Sequence, residues 1–133
     1  MNLKKKMKKI LYLFPVKWIN KFYLFYNRIF YPELVERKMS FGEKNEDKIF
    51  YVIRPRKNSV EGLMALLFYV IQQIGYAEKN NYIPVVDFKN YKTQYNIADE
   101  NAWECFFEQI SNYSLEEVYQ SKNVVLSGIN AIY

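Results

Sequence analysis

Apolar residues return along this chain in three rhythms, and each predicts a different element. Between Val16 and Tyr31, Trp18, Phe22, Phe25 and Ile29 recur every three or four residues. Ile19, Tyr26 and Phe30 widen that stripe, while Lys17, Lys21 and Arg28 lie off most of it. This period predicts an amphipathic helix with aromatics on one side and cations on the other. Two short apolar runs, Ile49-Phe-Tyr-Val-Ile53 and Tyr82-Ile-Pro-Val-Val-Asp-Phe88, are too brief for helices and suit strands buried on both faces. Between them sixteen residues, Gly62 to Ala77, pass without a charge. Leu63, Leu67, Val70, Ile71 and Ile74 form one helical face there, and Met64, Phe68 and Gly75 begin another. The segment reads as a core helix over about 60–80, with Ser59 as its N-cap and Glu61 in its first turn.

Strand, loop, long helix, strand is one βαβ unit, for which a right-handed crossover and parallel strands are expected. Further on, Trp103, Phe106, Phe107 and Ile110 share a helical side and turn Glu104 and Glu108 outward, which predicts a helix over 101–110. Ser114-Leu-Glu-Glu117 matches a capping box that opens another helix, and Val124–Gly128 reads as a third strand. Residues 32–48 are polar and mixed in sign, a linker by composition. The expected fold is therefore α/β: a small parallel sheet of about three strands behind an N-terminal amphipathic helix. Residues 1–48 form arm and linker, and residues 49–133 the α/β domain.

Charge sharpens this division. Residues 1–48 carry twelve Lys or Arg against five acids, whereas residues 49–133 carry seven against nine. Nucleic-acid domains carry their cations on the folded docking surface. Here they crowd ahead of it, so no nucleic-acid partner is expected. The lysine-rich start precedes only seven apolar residues, Ile10–Val16, interrupted by Pro15, which is unlike a secretory signal and far short of a spanning helix. Two readings of the Val16–Tyr31 helix stand open. Trp18, Phe22, Phe25 and Ile29 contact an anionic membrane, or they pack on protein. The location expected is the cytoplasm, with attachment to the inner face of the cell membrane under the first reading.

The chain contains no histidine and a single cysteine, Cys105. A Ser-His-Asp triad, a Cys-His pair and His-ligated zinc are excluded, as is an internal disulfide. Cys105 reads as a small buried hydrophobe, and neither metal nor cofactor is expected. In open α/β sheets ligands gather beyond the carboxyl ends of the strands. This rule brings the Arg54–Gly62 loop and the Asp87–Tyr95 loop to one rim. Arg54, Arg56 and Lys57 beside the Gly62 helix terminus suit an anion, or form a solvated basic loop. No G-x-G-x-x-G follows the first strand. The aromatic-and-amide run after Asp87, with Asn90 and Tyr91, suits sugar rings and their hydroxyls.

Residues 51–128, in particular Ile83-Pro-Val-Val-Asp87, Asn101-Ala-Trp-Glu104 and Ser121-Lys-Asn-Val124, resemble the N-terminal part of bacterial glycosyltransferase-like proteins of surface-polysaccharide clusters. Their plan is similar to that of α-1,6-fucosyltransferases and nodulation fucosyltransferases. The resemblance implies a Rossmann-like half of a two-domain GT-B enzyme, the acceptor side, with Asp87, Asn90, Tyr91 and Trp103 on the cleft wall. The partners it implies are a glycan or lipid-linked acceptor and a C-terminal donor-binding half. No segment matches the family's donor motif, so the expectation is a truncated or split enzyme that does not transfer sugar alone. Two alternatives stand beside it: a small membrane-associated binding or scaffold protein, and a nucleotide or sugar-phosphate binder. A half-enzyme should also expose apolar surface, expected among the arm aromatics and on the open side of the last strand.

Overall fold

The computed structural model describes residues 15–31, 35–56 and 60–128. The Lys4–Lys9 run, Lys57 and Ser59 lie outside them, and the long helix is capped by Gly62 with no acid in its first turn, so Ser59 is not its N-cap and Glu61 precedes it. Among the described residues are helices α1 (Val16–Phe30), α2 (Leu63–Lys79) and α3 (Leu115–Val118), and strands β1 (Arg37–Met39), β2 (Phe50–Ile53), β3 (Ile83–Val86) and β4 (Val124–Leu126). The strands form one open sheet in the order β1-β4-β2-β3. β2 is parallel to both β3 and β4, so the expected βαβ pairing holds. β1 is antiparallel to β4, with Arg37 opposite Leu126. The sheet is thus mixed and four-stranded, not three-stranded and parallel, and the added strand lies inside the residues read as linker. A three-residue strand with two cations shows too little β pattern to be seen locally. It forms because β4 offers it a free edge.

Side chains alternate across the sheet as pleating requires. Tyr51, Ile53, Val86 and Val125 face the layer of α2, where Leu66, Tyr69, Val70 and Ala77 cover them. Phe50, Val52, Val85, Val124 and Leu126 face the layer of α3, under Val118, Leu115 and Tyr113. The link from β2 to β3 therefore crosses one face, while the link from β3 to β4 first packs Phe88, Ala102 and Trp103 into that same layer and only then crosses the other face through Tyr113–Tyr119. β4 lies between β1 and β2 and is buried throughout, so the last strand has no open side. Exposed apolar surface lies on the arm helix, as expected, and on α2. The outer side of α2 carries Met64, Phe68 and Ile71, and α1 exposes most of its aromatics.

The helix expected over 101–110 is absent. Single turns close from Glu104 to Asn101 and from Phe106 and Phe107 to Trp103. Beyond them side-chain bonds to the sheet replace the helical ladder. Gln109 exchanges two hydrogen bonds with the backbone of Val86: its Oε1 accepts from Val86 N at 2.9 Å, and its Nε2 donates to Val86 O at 3.1 Å. Ile83 N and Asp87 N both donate toward β2, so Pro84 and Val86 are the β3 residues whose backbone faces outward. Proline needs no partner there, and Gln109 serves Val86. α3 does open as read from the sequence, since the Ser114 hydroxyl accepts from Glu117 N.

Candidate functional site

Arg54 follows β2, Asp87 follows β3 and Ser127 follows β4, so all three leave the same ends of parallel strands. They mark the rim where the two connections diverge, the crevice in which open α/β sheets hold ligands. Ser127 was legible by the same rule and was missed. β1, running the other way, begins at this rim too.

Arg54 is buried. Its backbone N donates to Ser127 Oγ at 2.8 Å, and its Nε donates to Ser127 O at 2.8 Å. Nη2 also donates to Ser127 O and to Val35 O. The guanidinium carbon lies 5.1 Å from the centre of the Tyr91 ring, a cation–π distance. Among the described residues no carboxylate comes within ion-pairing distance of Arg54. Asp87 therefore pairs with neither Arg54 nor Arg56.

Asp87 is wholly buried beside it. Its Oδ1 accepts from Lys89 N at 3.0 Å and Asn90 N at 2.9 Å, and its Oδ2 accepts from Asn90 Nδ2 at 2.9 Å and the Tyr119 hydroxyl at 2.5 Å. A carboxylate has about four lone-pair sites. Asp87 thus has no capacity left for sugar hydroxyls, and it shapes the Asn90–Tyr91 turn instead. Burial, then the Asp87 charge and its hydrogen bond, push the Tyr119 hydroxyl far above the ordinary tyrosine range, with Arg54 opposing. Tyr119 carried no sequence signal, because its spacing reads only as the end of a short helix.

The other predicted residues separate. Arg56 pairs with Glu61 and lies 4.8 Å over the Tyr69 ring, toward the start of α2, so the two arginines do not form one fork. Gly62 is the extended N-cap of α2, exposed, with open space where a Cβ would stand. Trp103 does not line a cleft. It is buried in the core against Phe88 and Phe107, with Nε1 donating to Glu108 O at 3.0 Å. Cys105 is exposed, contrary to its expected burial. Desolvation, then Glu100 and Glu104, raise its thiol pKa and disfavour the thiolate. Among the described residues no cluster of acids and cysteine is arranged to hold a metal. The rim that remains consists of exposed Asn90 and half-buried Tyr91 and Tyr119 around buried Arg54 and Asp87.

Comparison with family models, with curated proteins and with solved structures returns no match for this chain.

Proposed function

We propose that this chain is the acceptor-binding unit of a glycosyltransferase-like system of surface-polysaccharide biosynthesis, a Rossmann-like half that works with a separate donor-binding partner. The observation that carries the reading is Arg54. It holds a buried positive charge at the divergence of the sheet connections, shielded by carbonyls and an aromatic ring and paired with no carboxylate among the described residues. Buried charge of this kind favours a ligand that brings the opposite sign. The adjoining surface, Tyr91 and Asn90, offers a ring face and an amide for a pyranose. The ligand class is therefore an anionic glycan, bearing a phosphate or a uronic carboxylate. Asp87 and Tyr119 act beneath it as positioning residues, and no catalytic residue is assigned.

The test is calorimetric titration of the full chain with a sugar phosphate, a uronic-acid oligosaccharide and a neutral oligosaccharide. Saturable binding of the anionic sugars is expected, weakened about five- to thirtyfold in Tyr91→Ala, since a desolvated stacking or cation–π contact contributes about 1–2 kcal/mol. Equal binding of the neutral sugar, or none of any, overturns the reading. A non-catalytic membrane-associated module is the second reading, favoured by the exposed side of α1.

A further inference from the structure

We infer that α1 is an interfacial helix that lies flat in an anionic lipid surface. Among its fifteen residues Asn27 alone is buried. Projected at 3.6 residues per turn, Trp18 and Ile29 fall nearly opposite Asn27, and Phe22, Phe25, Trp18 and Ile29 share an arc of about 60°. These four are exposed by 56%, 62%, 69% and 54% respectively. The side turned away from whatever covers Asn27 is therefore the most apolar side of the helix.

Lys17, Lys21 and Arg28 fall within a second arc of about 40°, directly beside the Phe25 edge of the first. No acid occurs between Val16 and Tyr31, so the helix surface carries +3 with nothing to offset it. This combination separates lipid from protein as the occupant. Cores of protein interfaces are depleted of lysine, whereas interfacial helices set lysines beside sunken aromatics. The lysines and arginine meet lipid phosphates while the rings enter the acyl boundary. Tyr26, just past the far edge of the apolar arc, suits headgroup depth, with ring apolar and hydroxyl wet. Fifteen residues measure about 22 Å, short of the ~30 Å hydrocarbon core, so the helix lies along the surface. Among the described residues no helix is long and apolar enough to cross a membrane.

Flotation of the full chain with phosphatidylcholine vesicles, and with vesicles that also contain phosphatidylserine, tests this inference. Recovery with the anionic vesicles alone is expected, falling as salt rises, with a blue shift of Trp18 emission that Trp18→Phe removes. Replacing Lys17, Lys21 and Arg28 together by Gln should weaken binding about a hundredfold. Phe22→Asp with Phe25→Asp should abolish it and leave thermal unfolding unchanged, because these side chains are already in water. Equal recovery on both vesicles, no flotation, or a Phe22→Asp/Phe25→Asp chain that floats like the parent overturns the inference. So does a self-associated chain that the same pair of substitutions makes monomeric while no vesicle is bound.

Discussion

Two donors reach each oxygen of Asp87, and the consequence is specific to the carboxylate. An amide at this position keeps one acceptor oxygen and sets an NH2 against Asn90 Nδ2. Asp87→Asn should therefore cost about 1–3 kcal/mol, the penalty of a buried group left unsatisfied, read as a lower urea midpoint. Tyr119 makes a second prediction, at alkaline pH. Its folded-state pKa is raised, so above about pH 10 the unfolded chain releases this proton while the native chain keeps it. The unfolded state then binds fewer protons, and stability falls as pH rises. The contribution is fully present below pH 10. In Tyr119→Phe the decline above pH 10 should be shallower, measured by chemical denaturation at stepped pH.

At the scale of elements, the long helix and the three parallel strands were legible because each buries a continuous apolar run. Ser114 was legible because a cap is a local signal. What escaped was decided at a distance. β1 exists through its pairing with β4, and residues 101–110 abandon a helical pattern because Asn101 and Gln109 have sheet backbone to satisfy. Of the candidate site, Arg54 and Asp87 were placed correctly at the strand ends, but not their engagement with Ser127 and Tyr119. Trp103 was placed on a cleft wall by the family resemblance alone, whereas its spacing with Phe106 and Phe107 already suited the apolar core it joins. Gln109→Ala tests the edge directly. It leaves Val86 N without its partner, so a loss of about 1–3 kcal/mol is expected, with a greater tendency to aggregate in light scattering. Gly42 tests the strap that carries the chain from β1 to β2. Phe41 N donates to Ser121 O at 3.0 Å, and Lys44 N to Gln120 O at 3.1 Å. A Cβ on Gly42 would lie 2.8 Å from the Gln120 carbonyl carbon and closer still to its oxygen. Backbone cannot swing aside as a side-chain tip can. Gly42→Ala should lower the melting temperature by several degrees, about 1–3 kcal/mol for an overpacked contact.

At the scale of the whole molecule, the direction of β1 matters most. Because it runs antiparallel to β4, its first residue, Arg37, stands at the rim and not at the far end of the sheet, and Val35 O reaches Arg54 itself. Only six residues separate Phe30 from Arg37, which bounds their separation at roughly 25 Å. A surface that holds α1 therefore holds the Arg54–Tyr91 rim within that radius, and a ligand anchored in the same surface is searched for in two dimensions instead of three. A longer connection would dilute this advantage. Ten Gly/Ser residues inserted after Tyr31 should reduce capture of a vesicle-anchored anionic glycan about fourfold, following the −3/2 power of tether length, and leave affinity for the same glycan free in solution unchanged. Paired titrations with free and anchored glycan would measure the ratio. With α1 held in lipid as inferred above, the short strand at the edge of the sheet would work as a depth gauge, setting how far above the lipid the rim can ride.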